Sequence, residues 1–272
     1  MDITVIAEYH DQPAEGINVV SKTLIDDLRQ AGHMVRVIDP GKVLHKLPMM
    51  LRAPSDMTVF THGPGQRTVL ATRILRALSR TKLVWVATRP DIQHCPGWLK
   101  GGRSAHFILC NRPRDDLRAV AKDAHMIEQP IGIAPERMVS SGSDGPDSLW
   151  PELRARDVPI ATHVGHLRST RGLDRLLEIK ALLGDRIEIV MQASPYFEPD
   201  PGLVGPLQAA NIHIRRDFVA HIADVYHSSD LYLFPTPPEH EGAIELPLSV
   251  LEALSCKIPV VSTPFGALPG AL

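Results

Sequence analysis

EHEGAIELPLSVLEAL, residues 239–254, is the stretch of sequence that decides the fold, and it continues as SCKIPVVST to residue 263. Pro247 predicts the start of a helix, because proline is tolerated in the first helical turn, where its missing N–H is not needed. The apolar residues 258–261 that follow predict a buried strand. The stretch therefore predicts an acidic loop, a helix and a strand in direct succession.

Two glutamates in this stretch are candidate ligand-binding residues. Glu245 and Glu252 are seven positions apart, so on one helix they would lie within about 20° of the same face and roughly 10 Å apart. That separation suits two hydroxyl-rich rings joined by a diphosphate. The alternative is that both are solvated surface charges. Glu252, however, lies between Leu251 and Ala253 in an apolar helix, where a buried carboxylate is costly unless something hydrogen-bonds it.

A family resemblance rests on two runs of sequence. LEALSCKIPVV at residues 251–261, preceded by SDLYLFP at residues 229–235, resembles the C-terminal domain of family 4 glycosyltransferases, also called group 1 glycosyl transferases. The resemblance implies the GT-B fold and a retaining enzyme that uses a nucleotide sugar.

The family's mark is a pair of glutamates with seven residues between them. By similarity Glu252 binds the ribose, and Leu251 beside it belongs to the same donor-binding helix. The first glutamate should hold the donor sugar, but Ile244 stands in its place. The candidates are Glu245, one position late, and Glu241, which heads a Glu-Gly pair as the family motif does; Glu245 is slightly favoured. This departure bears on sugar specificity.

Length and composition set outer limits on the function. The 272 residues are 44% hydrophobic and 22% charged, which is ordinary for a globular protein of one large or two modest domains. A formal net charge of -2 gives no global electrostatic case for nucleic acid. Three cysteines without a C-x-x-C pair favour reduced thiols, and no signal peptide or membrane span is visible. We therefore expect a cytoplasmic protein, with peripheral membrane attachment as an option.

The first part of the chain alternates strand and helix. Residues 3–9 predict a strand. A polar loop ending in Glu15-Gly16 then leads into a helical pattern from Val19 to Leu28, closed by Gly32, and residues 33–38 predict a second strand; this alternation favours a parallel sheet. Gly16 opens the helix and resembles the glycine loop that approaches the donor phosphates in the family. The alternative for Gly16 is a simple turn residue.

His62 is a candidate active-site residue on the acceptor side. Residues 57–61 predict a strand that ends in His62-Gly63-Pro64-Gly65, and ligands bind at the carboxyl ends of such strands in doubly wound sheets. A purely structural histidine is the alternative. The next strand ends in Arg89-Pro90-Asp91, where many relatives carry a functional histidine, so the sequence departs from the family again.

A basic amphipathic helix is predicted over residues 66–80. Its polar face displays Arg67, Arg73, Arg76 and Arg80. Such a face can dock onto anionic lipid head groups, as in some relatives, or steer an anionic substrate. The alternative is an ordinary solvated helix face.

The clearest linker is SSGSDGPD at residues 140–147, rich in residues that favour turns. The sequence thus predicts an acceptor-side domain over residues 1–139, a linker over 140–157, and a nucleotide-sugar-binding domain over 158–272.

The second domain opens with a strand over residues 158–164, followed by Gly165. In the family an arginine and a lysine at this position clamp the donor diphosphate. By similarity Arg171 stands for the lysine, His166 replaces the arginine, and Arg168 shares the task. Oriented cations stabilise the charge that grows on a departing diphosphate. No D-x-D motif occurs, so we expect neither a metal nor a cofactor, with Arg168 and Arg171 serving the diphosphate.

The sequence as a whole predicts a GT-B architecture: two doubly wound α/β Rossmann-like domains facing a cleft. Because members of the family continue beyond the last predicted strand, we expect the second domain to be truncated. The expected activity is transfer of a sugar, with retention, from a nucleotide-diphosphate sugar to a hydroxyl of a glycan, lipid or small molecule. The alternatives are a non-catalytic nucleotide-sugar-binding or partner subunit of the same fold, and an epimerase or phosphorylase.

Overall fold

The computed structural model of the chain describes residues 1–8, 16–90, 92, 95–140, 149–238 and 243–272. They form two compact units. The first comprises Met1–Ile131 with Ile244–Leu246, and the second comprises Gly132–Ala243 with Pro247–Leu272. Each unit is built on one sheet whose strand pairs are all parallel.

The first unit contains a six-stranded sheet. Its strands are β1 (Asp2–Ile6), β2 (Met34–Ile38), β3 (Met57–Gly63), β4 (Lys82–Ala87), β5 (Phe107–Cys110) and β6 (His125–Glu128). The described helices of this unit are α1 (Gly16–Gln30), α2 (Val43–Arg52), α3 (Gln66–Leu78) and α4 (Asp115–Arg118). The sheet order is β2-β1-β3-β4-β5-β6.

Alternation along the central strands explains why this sheet is covered on both faces. Successive side chains of a strand point to opposite faces. Val59 of β3 accordingly packs in one apolar cluster with Ile25 of α1. The next residue, Phe60, packs in another with Val69 and Leu75 of α3. Near-continuous apolar strands are what a parallel sheet buried between helices requires.

The second unit contains a five-stranded sheet in the order β11-β10-β7-β8-β9. Its strands are β7 (Ile160–Gly165), β8 (Glu188–Ala193), β9 (Ile212–Arg215), β10 (Leu231–Phe234) and β11 (Val260–Ser262). The described helices are α5 (Pro151–Arg154), α6 (Asp174–Leu183), α7 (Val204–Ala209), α8 (Ile222–His227), α9 (Leu248–Ser255) and α10 (Leu268–Ala271).

Part of the predicted linker is packed structure. Trp150 and Leu153 are 2% and 4% exposed and lie in an apolar cluster with Val190 of β8 and Val225 of α8. The opposite face of the sheet is covered by α6, whose Leu176 packs with Ile189 and other residues of the sheet. Residues 149–157 therefore contribute to the second unit, whereas residues 141–148 lie outside the described part of the chain.

Each sheet has a topological switch point, where the strand order reverses. In the first unit the reversal falls between β1 and β3, and in the second between β7 and β10. Doubly wound sheets bind ligands at the carboxyl ends of the strands at such points. The two doubly wound α/β units predicted from the sequence are confirmed. No described helix has the length and apolar character needed to cross a bilayer.

Candidate functional site

A tight turn follows β7 at the switch point of the second unit. Gly165 ends β7, and residues Ser169–Arg171 form a 3-10 turn that stops at Gly172, whose φ is +67°. A Cβ atom on Gly172 would lie 2.3 Å from the carbonyl oxygen of Pro235, which follows β10. Only glycine fits both the left-handed backbone and this close approach. The turn therefore holds Arg171 against the ends of the two strands that flank the switch point.

Arg171 lies close to two buried rings of these strands. Burial is the largest influence on both rings, lowering the pKa of His163 on β7 and raising that of Tyr232 on β10; the Arg171 charge adds to the first shift and opposes the second. Burial is the main cause of the low pKa of His163, about 4, because the fully buried ring loses its hydration when charged. The structure thus places the predicted diphosphate cation Arg171 at the switch point.

His163 itself is a buried polar group that sequence reasoning did not select. Its Nδ1 lies 2.9 Å from the carbonyl oxygen of Leu233, and its Nε2 has no hydrogen-bond partner among the described residues. A Cβ atom on Gly165 would lie 2.9 Å from this Nε2. The neutral imidazole therefore lies against Gly165, where the chain enters the turn that carries Arg171.

Arg168 and His166 are already in contact with the protein. The Arg168 guanidinium donates to Asp200 Oδ1 over 2.9 Å, and Asp200 Oδ2 accepts from the backbone N–H of Ser169 over 2.8 Å. These hydrogen bonds, led by that of the Ser169 backbone, lower the pKa of Asp200. His166 packs on Phe197 with ring centroids 4.7 Å apart. The ion pair therefore anchors the Arg168 guanidinium to Asp200.

Glu252 is buried on α9, with 2% of its surface exposed. The Nε of Arg137 donates to Oε1, and the Tyr226 hydroxyl donates to Oε2 over 2.7 Å. Burial first, and the neighbouring Glu252 carboxylate second, raise the pKa of Tyr226 well above its usual range. A carboxylate buried in an apolar helix was expected to need hydrogen bonds, and it has them. Leu251 beside it is half-buried.

Sequence reasoning missed both partners of Glu252. Arg137 is 115 positions away, in a short 3-10 helix at Pro135–Met138, and Tyr226 is 26 positions away on α8. No local motif links them to Glu252. The only available indication was the cost of an unpaired carboxylate, which says that partners exist without naming them.

The predicted placement of Glu245 on the same helix face as Glu252 is wrong. Pro247 caps α9, which begins only at Leu248, so Glu245 precedes the helix. Glu245 lies in the segment Ile244–Leu246, which groups with the first unit, whereas Glu252 belongs to the second. Helical periodicity therefore does not apply to this pair. The other candidate, Glu241, lies outside the described residues.

Glu245 lies at the carboxyl ends of β4 and β5 and is completely buried. Arg112 Nε is 2.9 Å from its Oε1, and Asn111 Nδ2 donates to its Oε2 over 3.2 Å. Arg114 Nη1 lies 3.6 Å from Oε2, and the Glu245 backbone N–H donates to the carbonyl oxygen of Thr88 over 2.8 Å. Burial raises the pKa of Glu245 in spite of these cations. Sequence reasoning identified none of these four partners.

His62 lies within β3, near the switch point of the first unit. Its Nε2 is 3.0 Å from Oε2 of Glu8, which follows β1. Burial lowers the pKa of His62, and the Glu8 carboxylate opposes that shift. The two flanking strands of the switch point therefore each contribute one group to a histidine–carboxylate pair. Glu8 was not predicted.

The remaining predicted residues are Gly16 and the arginines of the predicted basic helix. Gly16 is the first residue of α1, while residues 9–15 and Asp91 lie outside the described part. On α3, Arg73 donates to the carbonyl oxygen of Trp98 over 3.1 Å, and Arg76 donates to that of Ala105. These two arginines therefore tie α3 to the segment after β4. Arg67 and Arg80 are exposed.

Among the described residues, no three side chains of His, Cys, Asp or Glu type gather as a metal site would require.

Solved structures with the same architecture define the class of the fold as GT-B. An E. coli structure described as trehalose-6-phosphate bound with UDP-2-fluoro glucose has a TM-score of 0.65 and 12% identity, over 99% of this chain and 86% of that one. AviGT4, a glycosyltransferase involved in avilamycin A biosynthesis, has a TM-score of 0.59 and 16% identity over 99% and 81%. An α,α-trehalose-phosphate synthase (UDP-forming) from Burkholderia xenovorans has a TM-score of 0.56 and 12% identity, over 85% of this chain and 65% of that one.

One family model matches the second unit. The model of the glycosyl transferases group 1 matches residues 158–272, so this part of the chain is similar to that family. The resemblance seen in residues 229–235 and 251–261 is thereby confirmed. No curated protein sequence matches the chain.

Proposed function

We propose that the protein is a retaining glycosyltransferase that moves a sugar from a nucleotide-diphosphate sugar to a hydroxyl acceptor. One observation carries the proposal. At the switch point of the second unit, a glycine-dependent turn presents Arg171, and the helix after the second switch strand carries the buried carboxylate of Glu252. A cation and a carboxylate at one switch point suit a diphosphate and the hydroxyls of a ribose.

The proposed roles follow from charge. A departing nucleoside diphosphate gains negative charge as the glycosidic bond breaks, so a fixed guanidinium stabilises the transition state more than the ground state. Arg171 takes this role. Arg168, which is paired with Asp200, shares this role. Glu252 accepts hydrogen bonds from the ribose, and no metal ion takes part.

In the first unit we assign His62, paired with Glu8, to the acceptor. A hydroxyl donor can bond to a neutral imidazole nitrogen, and burial lowers the pKa of His62 and so favours its neutral form. Glu245 is less suited to contact a sugar directly, because Arg112, Arg114 and Asn111 surround its carboxylate. We propose instead that it fixes these three side chains at the ends of the strands.

The first test is nucleotide binding by the whole chain. One structural neighbour is bound with UDP-2-fluoro glucose, so UDP is the first ligand to test, followed by other nucleoside diphosphates. A ligand at a hundred times its Kd stabilises the folded state by about 2.7 kcal/mol, which thermal unfolding detects. Arg171→Gln should weaken binding about tenfold, since a charge-assisted hydrogen bond contributes roughly 1.5 kcal/mol or more.

A matched control is Arg186→Gln. Arg186 is an exposed arginine of the same unit. It directly precedes β8 and so lies at the amino ends of the strands, whereas Arg171 lies at their carboxyl ends. Its replacement should leave nucleotide binding unchanged. Equal loss in the two variants would mean that overall charge, and not the turn after β7, determines binding, and would count against the proposed donor site.

A second candidate function is a non-catalytic nucleotide-sugar-binding or partner subunit. It is favoured by the contacts of Glu252, because Arg137 and Tyr226 already occupy both carboxylate oxygens. A ribose must share or replace these contacts. Slow release of free sugar from the bound donor distinguishes the two functions: a transferase hydrolyses some donor in the absence of acceptor, whereas a binding subunit leaves it intact.

We further propose that α3 and the residues directly after it allow peripheral contact with an anionic membrane surface on the cytoplasmic side. Arg67 and Arg80 are exposed, and Leu78 and Trp98 are 68% and 69% exposed. Aromatic and basic side chains together suit the interface of an anionic bilayer. The test is co-sedimentation with anionic and neutral vesicles, comparing the native chain with an Arg67→Gln/Arg80→Gln variant. Equal sedimentation with both vesicle types would contradict the proposal.

A further inference from the structure

A basic pocket lies beside β2 and α2 in the first unit. It has a volume of about 300 Å³ and is lined by three cations, one carboxylate and apolar side chains, among them Arg36, Lys42, Lys46, Asp39, Val37 and Met49. Pockets that hold small molecules begin at about this size. The pocket is separate from the residues assigned above to the donor and the acceptor.

The three cations of the pocket are Arg36, Lys42 and Lys46, and all three are exposed. Within the described part of the chain, Arg36, Lys42 and Lys46 form no ion pair and no side-chain hydrogen bond. The one carboxylate of the lining is partly engaged, because Asp39 Oδ1 accepts from the backbone N–H of Gly41 over 2.6 Å. By contrast, Lys22 on the neighbouring helix α1 is paired with Asp26. Three exposed cations and a single carboxylate around one pocket are suited to an anionic ligand.

The charge of the lining matches a doubly charged anion. Three cations and one carboxylate give the pocket a net charge near +2, and a phosphate monoester carries about -1.5 to -2 at pH 7. Lysine and arginine bind phosphate oxygens through charge-assisted hydrogen bonds. Val37 and Met49 supply an apolar wall for the carbon skeleton of such a molecule.

The pocket lies at the outer strand of the sheet of the first unit. Asp39 directly follows β2, so the pocket reaches the carboxyl side of the sheet, one strand away from the switch point between β1 and β3. Asp39 is also close enough to His62 to influence its charge state. The pocket and the histidine therefore lie at the same edge of the first unit.

We propose that this pocket binds a phosphate monoester of a small polyol or sugar, with the phosphate held by Arg36, Lys42 and Lys46. The proposal does not depend on glycosyl transfer, since it concerns binding to the first unit alone.

Calorimetric titration of the whole chain tests the proposal directly. The probe is glycerol 3-phosphate, and the comparison ligands are glycerol, glycerate and inorganic phosphate. We expect glycerol 3-phosphate to bind, glycerol to give no heat, and the other two to bind more weakly. Lys42→Gln/Lys46→Gln should raise the Kd about tenfold or more, because each removed charge-assisted hydrogen bond contributes to affinity. Arg36→Gln is an independent variant with the same expected direction.

The matched control is Lys82→Gln, which removes an exposed lysine from the start of β4, at the amino edge of the same sheet. It should bind glycerol 3-phosphate as the native chain does, and circular dichroism checks that every variant is folded. An unchanged Kd in both pocket variants overturns the proposal, as does the absence of heat with glycerol 3-phosphate. Equal affinity for inorganic phosphate or glycerate overturns the assignment to a monoester. Competition by UDP would show that the pocket belongs to the donor site.

Discussion

The hydrogen bond between Tyr226 and Glu252 provides the sharpest test of the site in the second unit. Tyr226→Phe keeps the buried ring and removes only the hydroxyl that donates to Glu252 Oε2 over 2.7 Å. Arg137 continues to hold Oε1, so the substitution leaves one oxygen of a buried carboxylate without its donor. Hydrogen bonds to charged groups contribute about 1.5–3 kcal/mol, and we expect a loss of about 2 kcal/mol in the free energy of unfolding.

Tyr232→Phe is the matched control. Tyr232 is also completely buried in the second unit, but its hydroxyl lies 3.4 Å from the carbonyl oxygen of Val164 and contacts the side chain of Ser249, both neutral partners. Neutral hydrogen bonds contribute about 0.5–1.5 kcal/mol. Because the two substitutions remove the same atom from equally buried rings, the difference between them isolates the effect of the carboxylate.

Urea unfolding followed by circular dichroism measures both losses as shifts of the midpoint at constant slope. A double-mutant cycle with Glu252→Gln then measures the coupling, which we expect to be about 1 kcal/mol. If Tyr226→Phe costs no more than Tyr232→Phe, or if the coupling is zero, the hydroxyl does not stabilise the carboxylate. The account of Glu252 as a residue held by Arg137 and Tyr226 would then be refuted.

Two further predictions concern Gly172 and His163 of the same unit. Gly172→Ala should lower the free energy of unfolding by about 3 kcal/mol, through left-handed strain and the clash with Pro235. Gly202→Ala, also at positive φ but in open space, should cost about 1 kcal/mol; equal midpoints in urea would refute the close approach. The pKa of His163 falls from 6.5 to about 4 on folding, so below pH 6.5 the unfolded state takes up the proton first and stability falls. The loss should be about 2 kcal/mol between pH 7 and pH 5, and a His163→Gln chain with the same pH dependence would contradict it.

The elements of the fold follow well from sequence because they depend on local patterns. Pro247 marks the start of α9, and apolar runs such as residues 83–87 predict strands that need burial on both faces. The close approach of Gly172 to the carbonyl oxygen of Pro235, by contrast, has no local signal in the sequence. The hydrophobic pattern and the positions of proline and glycine therefore predict most of the architecture.

The contacts of the site are less accessible from sequence, because they join distant positions. Spacing alone predicts that Glu245 shares a helix face with Glu252. Its partners are instead Asn111, Arg112 and Arg114, in the segment that follows β5. Spacing predicts a shared face only when both residues are on one helix, and the segment before Pro247 is not helical. Similarly, Arg73 on α3 has the pattern of a solvated face but binds the carbonyl oxygen of Trp98. Charge pattern alone does not reveal such bonds to the backbone.

The strand order of the second unit determines when its switch point can form. Strands β7, β8 and β9 follow one another in the sheet as they do in the chain, so they can pair as soon as they are synthesised. Strand β10 must return to pair with β7 across about 70 residues, as the hydrogen bond from Ile160 to Asp230 illustrates. Closing so long a loop is entropically costly and slow. In the folded sheet β10 pairs with β7, so β10 both completes the switch point beside Arg171 and covers what would otherwise be an exposed strand edge.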